Sequence, residues 1–297
     1  VARRLGLDPD HTTGLDTAAN LDNMVVITKR WEDLQITAAV SGGADVNALC
    51  AGDPAFLTEA DGALTSVPPG TINIFLITDR PLAPGAMAEL ILTATEAKTA
   101  VLRDLMQGSS ISRELATGTG TDGMVIICGT GQEGMLLNAG KHFKFGELAA
   151  QAVREAVTEA LFRQTGFCAQ EQHTVLRRLH RFGITADTLS AYCLARRPGQ
   201  DAAIARTIKK LDQDAFLVGA VVLYVHLEDQ RRAGMLTELE AGDWGEHLLR
   251  QVQQHYRCDL PLLQEAALMD KLEHFLCQLL MSNLLEQERL YPNQPPI

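Results

Sequence analysis

General acid–base chemistry needs an ionisable side chain held where water is scarce, beside donors that can receive developing negative charge. Residues 90–102, LILTATEAKTAVL, offer the first candidates. Leu90, Ile91, Leu92, Ala94, Ala97, Ala100, Val101 and Leu102 surround the axis of a helix, and a helix apolar all round is usually buried. The same run carries Thr93, Thr95, Glu96, Lys98 and Thr99. A buried carboxylate or ammonium needs a partner, or its pKa shifts. Glu96 and Lys98 stand two residues apart, about 200° around a helix, so they do not face each other. At least one must pair elsewhere or look into a cleft. The plainer alternative is a mixed helix with both charges on one solvent rim.

Residues 117–123 read TGTGTDG. Gly118, Gly120 and Gly123 satisfy G-x-G-x-x-G, but the dinucleotide fingerprint must follow a strand and open a helix. This run precedes the apolar MVIIC of residues 124–128, and Met124 stands where a P-loop needs lysine. A second match, Gly129 to Gly134, follows that strand but reaches Gly140 with little room for a helix. What remains is a turn rich in backbone N–H groups and in the hydroxyls of Thr117, Thr119 and Thr121, with Asp122 at the strand entrance. Such a turn can cradle an anion or an amide, or simply use glycine where φ is positive.

Ser41-Gly-Gly-Ala-Asp45-Val-Asn47 closes a second strand-like run. Ser41 is a candidate nucleophile there, with Asp45 and Asn47 as orienting groups; a loop with Asx turns is the plain reading. Lys141 and His142 precede a helix start, where they can hold a phosphate or carboxamide or supply a proton, or lie on the surface. The pairs His173/His180, His255/Cys258 and His274/Cys277 have helical spacing but supply only two metal ligands each, so no metal is expected. Arg177-Arg178-Leu-His180-Arg181 reads as a solvated face or an anion site. No G-x-S-x-G elbow and no H-E-x-x-H motif occurs.

The chain has 297 residues, with 26 basic and 37 acidic side chains. That balance speaks against a general nucleic-acid binder. Six cysteines without a C-x-x-C are too few for a disulfide scaffold and fit the cytoplasm. No basic stretch followed by an apolar run stands at the start of this sequence. The longest apolar run, residues 215–225, is too short to span a bilayer and reads as a buried helix or strand. Residue 1 is Val, so an upstream segment is expected.

The elements that must position these groups follow from periodicity. Residues 24–28 and 34–40 read as a hairpin around Trp31-Glu32-Asp33; 72–77 and 124–128 are further strands. Helices are expected over 86–106 and over 145–164, the latter stopped by Gly166. After Gly166 helical periodicity dominates. In residues 261–290, Leu272, Phe275, Leu276, Leu279, Leu280, Leu284 and Leu285 form one apolar stripe, a core face or in part a dimer face. Residues 1–166 carry 12 basic and 20 acidic side chains. A boundary is therefore expected at 166, with an α/β (α+β) layered sandwich on a mixed sheet before it and an all-α domain over 167–297.

At these motifs the sequence resembles the adenosylcobinamide amidohydrolase family of corrinoid salvage. The matching runs are GLDTAA (14–19), NALCAGDPA (47–55), PGTINIFLITDRPLAPGAM (69–87), TATEAKTAVL (93–102), LATGTGTDGMVI (115–126) and AGKHFKFGELAAQAVREAVTEALFRQTG (139–166). The resemblance implies a cytoplasmic enzyme that hydrolyses adenosylcobinamide to adenosylcobyric acid and aminopropanol. The corrinoid is then the substrate, and no cofactor, nucleic acid or membrane partner is implied. A corrinoid-binding or transport-accessory protein is the alternative, and a homo-oligomer through the C-terminal helices is expected. The family also carries a segment upstream of the TAA motif for which no match is read here, and no phosphatase signature of the kind found in fusions is read after Gly166. The run 70–87 is further similar to DmpA/ornithine-acetyltransferase-like hydrolases, which suggests αββα layers; Val1 cannot be their N-terminal nucleophile. The family does not supply roles, so chemistry assigns them. Glu96 is the expected general base, its pKa raised by an apolar helix. Lys98 or His142 assists the leaving amine, with Asp122 and Lys141 beside them. Thr95, Thr117, Thr119 and Thr121 line the oxyanion and carboxamide site. Ser41, Asn47 and Asn73 bind corrin side chains, and Cys50 is a variant nucleophile.

Overall fold

A computed structural model of the chain describes residues 2–55 and 70–290, the side chains of 287–290 excepted. It divides into two units, Val1–Glu171 and Gln172–Ile297, so the break falls a few residues beyond Gly166.

In the first unit, β1 (Val25–Trp31) and β2 (Leu34–Gly43) form the expected hairpin, turning through Glu32, which takes the left-handed region at φ 51°. β3 (Ala48–Leu49) follows, then β4 (Thr71–Pro81), α1 (Pro84–Asp104), β5 (Gly118–Thr119), β6 (Gly123–Gly129) and α2 (Lys144–Thr165). The main sheet has the order β1-β2-β4-β6, antiparallel except for the parallel pair β4 and β6. That parallel pair requires the crossover that α1 provides. Proline at the first turn starts α1, since its missing N–H would be unpaired there in any case. Gly166, at φ 77°, stops α2.

Strand periodicity explains which sheet face the helices cover. Ile36, Ala38, Val40, Ile72, Ile74 and Leu76 alternate along β2 and β4 and are buried in one core with α1 and α2. The helices meet that core through small residues, Ala94 and Ala97 on α1 and Ala149, Ala152, Ala156 and Ala160 on α2. The opposite face exposes Val26, Ile77 and Ile127. The mixed sheet is thus as expected, but among the described residues there is no second layer of the αββα kind: the other sheet is the two-stranded ribbon β3-β5.

The regular elements of the second unit among its described residues are all helical: α3 (Val175–Leu179), a 3-10 turn (His180–Phe182), α4 (Ala186–Leu194), α5 (Asp201–Asp212), α6 (Ala215–Arg232), α7 (Glu238–Tyr256) and α8 (Leu268–Leu290). The ambiguous apolar run is helix α6. Capping boxes at Thr185/Thr188 and Thr237/Glu240 start α4 and α7. Gly245 lets α7 approach its neighbours closely: a Cβ there would lie 2.7 Å from Leu268 Cδ1 and 3.2 Å from the Tyr224 ring. Tyr224 Oη donates to Leu268 O (2.8 Å), which satisfies a buried hydroxyl. Six of the seven stripe residues on α8 lie in this core and only Leu285 is exposed, so the stripe is a core face. The arginine cluster is not simply solvated either: Arg181 is buried against Asp229 and over the Phe182 ring. No described helix is long and apolar enough to cross a membrane.

Candidate active site

The TGTGTDG turn owes its shape to three sets of bonds. Its Gly118–Thr119 pairs with Ala48–Leu49 as β5 with β3. Thr117 Oγ1 accepts from Ala51 N (2.9 Å), and Thr99 Oγ1 on α1 donates to Thr117 O (2.9 Å). Thr71 Oγ1 donates to Thr121 O (2.7 Å), while Thr121 Oγ1 donates to Gly70 O (2.9 Å). The turn is thereby fixed to the N-terminal ends of β4 and β6 and to the C-terminal half of α1.

Asp122 sits at its centre. Oδ1 accepts from Ile72 N (2.9 Å) and from the Thr119 hydroxyl (2.6 Å). Oδ2 accepts from Thr119 N (3.0 Å) and forms an ion pair with Lys98 Nζ. Lys98 is only 8% exposed although it lies on a helix. The charge that had to find a partner outside its own helix has found Asp122. Gly118 makes the approach possible, because a Cβ there would collide with both Asp122 Oδ2 and Lys98 Nζ.

Two buried amides brace the surroundings. Asn47 Nδ2 donates to Gly70 O (3.0 Å) and Asn73 Nδ2 donates to Asp16 O (2.8 Å). Ser41, Asn73 and Gly123 face one another across β2, β4 and β6. A Cβ on Gly123 would lie 2.7 Å from Leu15 Cδ2 and 2.9 Å from Asn73 Oδ1, so glycine admits the 14–19 segment over this row. Ser41 is buried. Asn47 and Asn73 therefore use an amide N–H on the chain itself, which makes them braces of the site.

The structure gathers Ser41, Asn47, Asn73, Lys98, Thr117, Thr119, Thr121 and Asp122 here and leaves four expected residues outside. Glu96 points away from Lys98 and pairs with Lys141, their side chains 56% and 63% exposed. The apolar surroundings expected around Glu96 are absent, because the apolar face of α1 that is buried carries Lys98 instead. Thr95 and His142 are exposed as well. Near them Glu89 Oε2 accepts from the N–H groups of Ala139 (2.7 Å) and Gly140 (3.0 Å), and Thr93 Oγ1 donates to Ala139 O (3.1 Å). These bonds fix the approach to α2.

Sequence reasoning assigned no role to Thr71, Thr99, Asp53 and Ser109. For Asp53 a signal existed: Cys50-Ala-Gly52-Asp53 has the glycine spacing of a tight turn. Asp53 N indeed donates to Cys50 O (2.9 Å), with Gly52 at φ 100°. Asp53 Oδ2 accepts from Cys50 N (2.7 Å) and from the Ser109 hydroxyl (2.6 Å). Burial alone would raise this carboxyl, but hydrogen bonds from Ser109, Ser112 and Cys50 hold it below its ordinary value. The Cys50 thiol is pushed up by burial and by the charge of Asp53, which disfavours the thiolate that a nucleophilic role needs. Among the described residues no group of three or more His, Cys, Asp or Glu is placed to hold a metal ion.

The fold and the site define an α/β domain with a buried lysine–aspartate pair in a glycine–threonine turn, followed by a helical unit. The chain belongs to the adenosylcobinamide amidohydrolase family: the sequence profile of that family matches residues 1–169. The match also takes in the first thirteen residues, where no motif was read. An uncharacterized protein of Methanocaldococcus jannaschii is 38% identical over 175 residues, 55% of this chain and 68% of that relative. No solved structure matches the chain.

Proposed function

We propose that the first unit hydrolyses the amide joining the corrin propionyl side chain to aminopropanol in adenosylcobinamide, giving adenosylcobyric acid and aminopropanol. The observation that carries this reading is the Thr119–Asp122–Lys98 chain. A half-buried hydroxyl lies 2.6 Å from a carboxylate that is itself held by Lys98 and by Ile72 N–H. That is the nucleophile, base and orienting group of an acyl transfer. Thr119 Oγ attacks the amide carbon while its proton passes to Asp122. The ammonium of Lys98 and the Thr121 N–H, which points to Thr119 Oγ1 at 3.4 Å, receive the oxyanion. The C–N bond breaks as the amine takes the proton from Asp122. Water then cleaves the threonyl ester, with Asp122 again the base. The corrinoid enters as substrate, and a cytoplasmic setting belongs to the same reading; the described cysteines are all free thiols.

One feature favours the alternative of a corrinoid-binding protein: Asp122 already accepts four hydrogen bonds, as a purely structural carboxylate would. Incubation with adenosylcobinamide, followed by chromatography and mass spectrometry, decides between them. Release of adenosylcobyric acid and aminopropanol, abolished in Thr119→Ala and Asp122→Asn, is the expected result. Tight corrinoid binding with no aminopropanol released would replace the enzyme by the binding protein.

A further inference from the structure

Beside the Lys98–Asp122 pair lies a cleft of about 170 Å3. Its wall meets the candidate active site at one peptide: Thr71 lines the cleft, and the N–H of the next residue, Ile72, is donated to Asp122 Oδ1 (2.9 Å). Small residues leave the space open, Ala18 and Ala19 on one side and Gly43 and Gly70 on another. Gly70 has φ 135°, and a Cβ on it would lie 2.9 Å from Asn47 Cβ, so no larger residue fits the wall there.

Two independent features set the charge that this cleft accepts. Asp45 is the one ionisable side chain among its described lining residues; it is exposed and has no side-chain partner among the described residues. Gln164 and Thr165, also in the wall, are the last residues of α2, and a helix C-terminus carries partial negative charge. A carboxylate and a helix C-terminus together favour a small cation over a neutral or anionic group.

We propose that this cleft is the leaving-amine subsite of the hydrolysis described above, taking a small primary amine as its ammonium with Asp45 as counter-charge. The assignment rests on that reading of the reaction. Hydrolysis converts a neutral amide and water into a carboxylate and an ammonium. The C–N bond breaks, a C–O bond forms, and the departing nitrogen gains one proton on leaving and a second from the carboxylic acid. The amine is thus neutral as the C–N bond breaks and becomes an ammonium once it takes the second proton, and Asp45 holds it in that form.

The test uses the full chain with 1-amino-2-propanol itself as probe, followed by saturation-transfer NMR so that no turnover is needed. Aminopropanol is expected to bind at least about tenfold more tightly than 1,2-propanediol, its neutral analogue of similar size. Asp45→Asn is expected to remove that preference, Asp45→Glu to keep most of it, and raising the pH until the amine is neutral to abolish it. Equal binding of the diol, or a preference unchanged in Asp45→Asn, overturns the subsite. Hydrolysis of adenosylcobinamide is assayed in parallel. Asp45-dependent amine binding without hydrolysis leaves the cleft standing and removes the reaction; hydrolysis with Asp45-independent binding does the reverse.

Discussion

Helix α1 contributes to two lysine–carboxylate pairs from positions only two residues apart. Lys98 meets Asp122 with side chains 10% and 15% exposed, whereas Glu96 meets Lys141 with 56% and 63%. An exposed pair of this kind is worth about 0–1 kcal/mol, because water and salt screen it. A buried pair gains little over an apolar replacement, yet losing one partner strands a charge at a cost of about 3–5 kcal/mol. The same two charges thus form a surface tether in one place and a buried, constrained ion pair in the other. What separates them is the glycine–threonine turn around Asp122, which supplies fixed donors to its carboxylate.

The comparison can be broken most forcefully at the buried pair. Lys98→Met is expected to destabilise the first unit by about 3–5 kcal/mol and Asp122→Asn to lower kcat by about 10²–10⁴-fold. The double variant is expected to regain stability without regaining activity, which urea titration and the adenosylcobinamide assay together would show. Gly118→Ala, which drives a methyl group between the two side chains, is expected to cost about 1–3 kcal/mol and most of the activity while leaving both charges in place. A fully active Gly118→Ala would mean that the close approach of the pair is dispensable.

A smaller effect is expected where the 47–53 segment is braced. The Asp53 carboxyl is held below its ordinary value, so its contribution is present above the unfolded pKa and is lost as pH falls through the folded one. The first unit should lose stability as pH drops below about 4, and Asp53→Asn should flatten that part of the curve; an unchanged acid limb would remove Asp53 from the account. The smallest effect belongs to the exposed pair. Glu96→Gln is expected to keep activity within about twofold and to change stability by at most about 1 kcal/mol. Loss of activity in that variant would return the general base to Glu96 and dissolve the distinction drawn here.

Periodicity made the hairpin, α1, α2 and the helical character after Gly166 readable, because alternation and the 3.6-residue repeat follow directly from which face is buried. The rule that a charge on an apolar helix needs a distant partner also held for Lys98. Which of Glu96 and Lys98 would be the buried one was not readable. Both flank the same apolar stripe, and only the tertiary position of the turn decides between them. Asn47 and Asn73 donate to Gly70 O and Asp16 O, and a sequence does not show that those carbonyls take their N–H groups. The 41–47 loop that brings Asp45 to the cleft was legible as a candidate ligand segment, but the cleft was not, because Ala18, Ala19 and Gly70 contribute only the volume they leave empty.

The two clusters of core residues share no member. Each buried set brings its own heat-capacity change on unfolding, and whether the two melt in one transition or two is a measurable property of the chain. The sequence contains two tryptophans, Trp31 on β1 and Trp244 on α7, one in each unit. With either replaced by phenylalanine, the remaining indole reports by fluorescence on its own unit, and two distinct transitions would show that the units unfold separately.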